Sequence, residues 1–304
     1  MQKMQKIQDI QEKNTQPPPA PPEAVIQTES LTKKYPNGTV AVKNLNLSIR
    51  KGEVYGLLGP NGSGKTTTIL MLIGLTEATG GSVKVVGYDP LRNPLAVKRQ
   101  VAYMPDSVGF YNELTAGENL DYTARLAQVP GDEIDPRIDE SLEKMGLSGV
   151  KNRRVGTFSR GMRQRLALAE VLVKHPQIVI LDEPTQGLDP ESAHEFLLFI
   201  RSLRDDGMTV LLSSHLLDQV QQVCDRVGLF FEGRLILEGT VEELSSRVIG
   251  NHFQVQISAV SDNREAFHRK LSGLDEVEEV KIESHRLDEV YRSYLAKERE
   301  HAQA

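Results

Sequence analysis

Nine residues, "GPNGSGKTT" at 59–67, constrain this 304-residue chain more than any other stretch. They join two apolar segments. "EVYGLL" before them carries Val54, Tyr55, Leu57 and Leu58, and "TILMLIGL" after them is apolar for a helix's length. The spacing fits G-x-x-x-x-G-K-[ST] at Gly59, Gly64, Lys65 and Thr66. Gly59, Gly62 and Gly64 let the backbone turn its N–H groups inward around an anion, in conformations a Cβ would hinder. Pro60, Asn61, Ser63 and Thr67 complete the loop. A helix starting at its end adds the positive pole of its dipole. The stretch reads as a phosphate cradle, with Lys65 as a point charge for the outer phosphates and Thr66 as a hydroxyl ligand for Mg²⁺.

A cradle of this kind needs a carboxylate to share the metal. "QIVILDEP" offers one, an apolar strand ending in Asp182. Glu183 follows directly and is placed to polarise an attacking water. His215, in "TVLLSSHLL", also follows a buried strand. Its two readings are a packing histidine and a contact to the γ-phosphate of a nucleotide.

Composition narrows the class. Hydrophobic residues make up 39% and charged residues 26%, ordinary for a globular protein. A net charge of -6 provides no general basic field for nucleic acid. One cysteine, Cys224, permits no internal disulfide and reads as a small core residue. No apolar run approaches the ~20 residues that cross a bilayer, and "MQKMQKIQDIQEKNTQ" has no apolar core of a secretion signal. The expected location is the cytosol, with any membrane role exercised through a partner.

Residues 1–24 end in "PPPAPPEA" and read as a disordered proline-rich tail. From 25 to 250 short apolar strands alternate with helical stretches. Strands are expected in "VIQTESLTKKY", "AVKNLNLSI", "EVYGLL", "GSVKVVGY", "QVAYMP", "QIVILD", "MTVLLSS" and "RVGLFF". Helices are expected after the glycine loop, over much of 113–148, and at 160–174, 190–206, 215–224 and 240–248. Continuous apolar strands separated by helices imply an α/β fold with a mostly parallel sheet covered on both faces. Residues 251–304 read as strand, helix, strand, helix, a small α+β appendage.

In this order the motifs resemble an ATP-binding cassette subunit over roughly 25–250. The deciding piece is "TFSRGMRQRLALAEVL" at 157–172, similar to the family signature at Phe158, Ser159, Gly161 and Arg165, with Arg160 and Met162 as variant positions. Ser159 also caps a helix whose free N–H groups make an anion site. The resemblance implies a P-loop NTPase cassette: a parallel core sheet, an antiparallel β subdomain and a helical subdomain at about 106–174. It implies two copies paired head to tail around two ATP, each nucleotide lying between one subunit's Lys65 loop and the other's Ser159, Arg160, Gly161 and Met162. Asp189, in "QGLDP", falls at the dimer seam, and Tyr35, in "KKYPNG", at the adenine-stacking place.

One position departs from the family. Glutamine is usual after the Y-x-P strand, and "VAYMPDSVGFY" has Asp106 there. A carboxylate can bind Mg²⁺ but repels a γ-phosphate, so Asp106 is expected to couple through the metal and slow hydrolysis. "FYNELTAGENL", next along the chain, falls where the family contacts a membrane subunit. One cassette and a short appendage resemble exporter ATPases with separate integral-membrane subunits, and also ATPases serving nitrous oxide reductase maturation. The alternatives are a soluble cassette ATPase of repair or translation and a non-hydrolysing nucleotide sensor. Coiled-coil inserts and a second cassette, features of the soluble kind, are both missing from the sequence.

Overall fold

A computed structural model describes residues 23–216, 221–248 and 264–272. The chain divides into two compact units, 1–250 and 251–304. In the second, the described element is one helix, Arg264–Ser272; the two strands and the last helix expected there lie outside the described residues, as does the tail.

The first unit contains two sheets. Strands β1 (Ala24–Lys34), β2 (Val40–Arg50) and β4 (Gly80–Val85) form an antiparallel sheet in the order β2-β1-β4. In β2 the alternation of Leu45, Leu47 and Ile49 buries one face, and Asn44, with φ +48, accompanies a register shift that brings Val42 onto the same face. The larger sheet takes β3 (Val54–Leu58), β5 (Val101–Met104), β6 (Ile178–Asp182), β7 (Thr209–Ser214), β8 (Arg226–Phe231) and β9 (Arg234–Gly239) in the order β5-β6-β7-β3-β8-β9. All neighbours run parallel except the β8–β9 pair.

Every residue of β3, β6 and β7 is buried, which is why these strands read as continuous apolar runs. Successive residues face opposite cores. Val179 and Leu181 pack into one cluster with Leu120, Ile138 and Leu168, while Ile178 and Ile180 join another with Ile26, Ile69 and Leu72. The first cluster is covered by helices α3 (Ala116–Leu126), α4 (Gly131–Lys144), α5 (Arg160–Leu172) and α6 (Pro190–Asp205); the second is covered by α1 (Lys65–Leu72) and the antiparallel sheet. The expected α/β architecture, with its β and helical subdomains, is therefore present.

Local chemistry fixes the helix starts. Thr115 and Glu118 make a reciprocal capping box at α3, and Asp189 with Pro190 opens α6. In α4 the buried Ile134, Ile138 and Leu142 fall four apart, the stripe that turns a helix onto a core.

Among the described residues, one α-helix and one strand escaped the sequence reading. Helix α2 (Pro94–Gln100) buries only Val97, so no apolar period marks it. Edge strand β9 leaves Ile236 54% exposed and lacks a one-sided pattern. The helix expected over 215–224 is not seen at either end: His215 and Leu216 are non-helical and 221–223 form a turn, while 217–220 lie outside the described residues. The helix at 240–248 is α7 (Val241–Val248), capped by reciprocal bonds between Thr240 and Glu243. Among the described residues no helix is long and apolar enough to cross a membrane.

Candidate functional site

The loop 59–64 leaves the carboxyl end of β3 and enters α1 at Lys65. Two of its glycines are demanded by neighbours. A Cβ at Gly59 would lie 2.3 Å from the Phe230 carbonyl oxygen at the end of β8. At Gly64, φ is +108 and a Cβ would meet the Ala41 carbonyl oxygen at 2.4 Å. The β8–β9 turn closes the packing, because Gly233 N–H donates to the Ser63 carbonyl at 2.9 Å. The cradle is thus braced from β2 and from a turn 170 residues away, neither visible in the motif itself.

Inside the loop, Lys65 is buried, and its ammonium donates to the carbonyls of Gly59 at 2.7 Å and Pro60 at 3.2 Å. The Ser63 hydroxyl is buried with no hydrogen-bond partner among the described residues. Buried polar atoms are nearly always paired, so an orphan hydroxyl here is a mark of a site that takes an acceptor from outside. Thr66 stands on the exposed first turn of α1, with Asn61 and Gly62 exposed on the loop.

Parallel register delivers the acidic side. Asp182 pairs with Ser213 across β6 and β7, and Leu58 with Ser214 across β3 and β7, so all three strands end together. The Ser213 hydroxyl donates to Asp182 Oδ1 and accepts from the Glu183 N–H at 3.0 Å. Glu183 has φ +48, a left-handed conformation that costs an L-residue about 1–2 kcal/mol and is typical of functional turns. Its carboxylate lies 3.3 Å from the Lys65 ammonium through Oε1 and 2.8 Å from His215 Nδ1 through Oε2. With Nδ1–H donating to that carboxylate, the other ring nitrogen is the one left for a further partner. Lys65, Glu183 and His215, three residues separated by 118 and 32 positions, form one run of contacts.

The second group of expected residues assembles elsewhere on the same unit. Ser159 caps α5, its hydroxyl accepting from Met162 N–H at 3.3 Å. Gly161 faces the α6 start, where a Cβ would sit 3.8 Å from the Ser192 hydroxyl. Asp189 caps α6, accepting from Ser192 N–H at 3.0 Å and from its hydroxyl at 2.7 Å, and these bonds hold its carboxyl below the usual aspartate range. Met162 packs against the core of its own chain. Arg160 points within its own chain too: it donates to the Gln186 carbonyl at 2.9 Å and lies over Gly187, where a Cβ would collide with the guanidinium at 2.2 Å. Beside it Gln164 donates to the Pro184 carbonyl at 2.5 Å. The signature helix is therefore bonded to the segment that follows Glu183.

Three expected residues lie at the margins. Tyr35, in the turn after β1, places its hydroxyl 3.5 Å from the Thr67 hydroxyl, at the first turn of α1. Asp106 is exposed beyond β5; its charge and that of Asp182 both bear on the Tyr103 hydroxyl, which burial first of all pushes up to about 12. Cys224 is partly buried against the core, and burial pushes its thiol up, consistent with packing. Sequence reasoning missed Ser213 and Gln164. Ser213 stood inside the "SSH" stretch; its bond to Asp182 follows only from strand order.

Residues 42–186 match the family model described as ABC transporter. Over 258 residues the chain is 36% identical to the linearmycin resistance ATP-binding protein LnrL of Bacillus subtilis (strain 168), covering 85% of this chain and 82% of LnrL. It is 39% identical over 253 residues to the daunorubicin/doxorubicin resistance ATP-binding protein DrrA of Streptomyces peucetius, covering 83% of this chain and 75% of DrrA. Among solved structures it resembles the ADP conformation of the cassette MJ1267 with a TM-score of 0.68 and 26% identity, over 75% of this chain and 96% of that one. It also resembles the dimeric post-hydrolysis cassette MJ0796 bound to ADP and Pi, with a TM-score of 0.63 and 26% identity, over 71% of this chain and 98% of the other. A likeness that spans more than four fifths of both LnrL and this chain makes the chain a member of the ABC transporter family, one of the ATP-binding subunits that hydrolyse ATP.

Proposed function

We propose that the chain forms half of a head-to-tail homodimer that closes around two ATP and drives a separate integral-membrane exporter subunit. The observation that carries the reading is the run Lys65–Glu183–His215, together with a Ser63 hydroxyl of the same loop that has no partner among the described residues. In this reading the loop Gly59, Pro60, Asn61, Gly62, Ser63 and Gly64, with Lys65, Thr66 and Thr67, receives the phosphates on inward N–H groups and the helix pole. Lys65 turns from its carbonyls to the phosphates, Glu183 orients and deprotonates the attacking water, and His215 bonds the γ-phosphate. Tyr35 stacks on adenine. The partner's Ser159, Arg160, Gly161 and Met162 close the site from the other side, with Asp189 at the seam. For Arg160 and Met162 this contact is one of position along the helix, since both side chains are engaged within their own subunit.

The site suits Mg²⁺. Ser213 holds one oxygen of Asp182 and leaves the second for a metal, and the Thr66 hydroxyl stands exposed on the first helical turn. Mg²⁺, when bound by Thr66 and Asp182 with Asp106 nearby, supplies positive charge against the phosphate oxygens.

The exporter direction draws on relatives named for resistance to linearmycin and to daunorubicin and doxorubicin, and on a relative named as a bacitracin transport ATP-binding protein. Those names favour antibiotic-type export over service to nitrous oxide reductase, over repair or translation, and over nucleotide sensing alone. The chain would sit on the inner face of the membrane without nucleic acid. The membrane subunit would dock at the 110–120 segment and α3. There Tyr111 and Tyr122, 55% and 45% exposed, meet edge to face at 5.3 Å, beside a cavity of about 220 Å³ lined by Tyr103, Val108, Thr123, Glu170 and Lys174. We take 25–250 as the cassette, 251–304 as an appendage and 1–24 as a tail.

The test is capture. Glu183→Gln, loaded with ATP, should stall closed and bring down a multi-span membrane protein in roughly equal amount from detergent-solubilised native membranes. Recovery of ribosomes, DNA or no partner would overturn the transporter reading.

A further inference from the structure

Tyr35 is held from two sides. Its hydroxyl reaches Thr67 at 3.5 Å, and the Lys33 ammonium sits over its ring, 5.1 Å from the centroid. Lys33 and Tyr35 are two residues apart, the spacing at which extended backbone puts side chains on one face. The ammonium is itself fixed, because it donates to the Glu77 carbonyl at 2.6 Å. Glu77 belongs to the segment between α1 and β4. That segment is stitched to the end of β1 by Thr79, whose N–H donates to the Thr32 carbonyl at 2.8 Å and whose hydroxyl accepts from Lys34 N–H at 3.0 Å. Among the described residues no carboxylate pairs with Lys33, so its charge is turned on the ring and a backbone oxygen. No other ring or cation is stacked on Tyr35 among the described residues.

We propose that Lys33 is a positioning residue for the adenine base. Its ammonium takes one face of the Tyr35 ring, fixes the pitch of that ring above the first turn of α1, and leaves the opposite face for the base. An aromatic ring between a cation and a base is attracted by both, and a ring already fixed loses less freedom when the base arrives. Lys33 thereby ties the base-binding turn to the far end of the helix that begins in the phosphate loop. The proposal rests on the reading of Tyr35 as the adenine-stacking ring.

The test uses the full chain and titration calorimetry with two probes at constant Mg²⁺: ADP, which carries the base, and inorganic pyrophosphate, which does not. Lys33→Met should weaken ADP about two- to fivefold and leave pyrophosphate unchanged. Lys33→Arg, which keeps a cation over the ring, should restore ADP affinity. In steady-state hydrolysis Lys33→Met should raise KM and spare kcat. On a Tyr35→Leu background the same substitution should have no further effect on ADP. Unchanged ADP affinity in Lys33→Met, an equal loss for pyrophosphate, or the full effect persisting without the tyrosine ring would each overturn the proposal. If Tyr35→Leu weakens ADP while Lys33→Met does not, Lys33 alone is wrongly assigned. If Tyr35→Leu leaves ADP untouched, the stacking reading falls and this proposal with it.

Discussion

Two groups of residues in this chain are built on opposite physical plans. The side chains of Lys65 and Glu183 are 5% and 13% exposed, the first opening helix α1 and the second following the fully buried strand β6, and they pair with one another. Ser159, Arg160 and Asp189 are exposed and sit at helix starts, and each is satisfied by its own helix or the next loop. The first group holds opposite charges in a mostly buried place, where each is costly unless paired. The second presents capped helix starts at the surface, and its bonds run to its own helices and to the 186–187 loop. On the proposed reading a single chain supplies the reacting groups of one site and only a surface for the other half, and that difference is the physical argument we offer for a second copy.

The largest expected effect falls on the buried group. Glu183→Gln should lower kcat about 10²- to 10⁴-fold while ATP binds at least as tightly. Turnover near wild type would move the chemistry out of the buried cluster. Ser213→Ala comes next, since it removes the donor that orients Asp182 and the acceptor of the Glu183 N–H; hydrolysis should fall about 10- to 100-fold, with an increased Mg²⁺ requirement.

The exposed group is tested by mixing. Ser159→Ala should cost about 1 kcal/mol of helix capping, read as a modest loss in Tm, and abolish most turnover. Mixed with Glu183→Gln subunits, it should regain about a quarter of the wild-type rate, because half the dimers are mixed and each has one whole site. No recovery on mixing would break the distinction between the two groups. The smallest effect is expected at Asp106→Gln, with turnover raised about two- to fivefold as a negative charge leaves the approach of the phosphate. Unchanged turnover and unchanged Mg²⁺ dependence would remove Asp106 from the site.

Legibility followed the same division. Phosphate cradle, Asp182, Glu183 and the continuous strands are all stated by residue type and spacing, because buried strands and anion loops tolerate few alternatives. Asn44, Gly233 and Ser213 were not legible, since each acts across a contact that strand order creates. Ser213 meets Asp182 only because β6 and β7 are neighbours in register. Arg160 shows a different kind of illegibility: its guanidinium lies on Gly187 of its own chain, a direction no motif encodes. The weakly patterned α2 and β9 went unseen because half-exposed elements carry little periodicity.

The contact between Lys65 and Glu183 makes each the other's counter-ion. A mostly buried charge is costly alone, so the two side chains are coupled, and a change at either is felt at the other although 118 positions of sequence separate them.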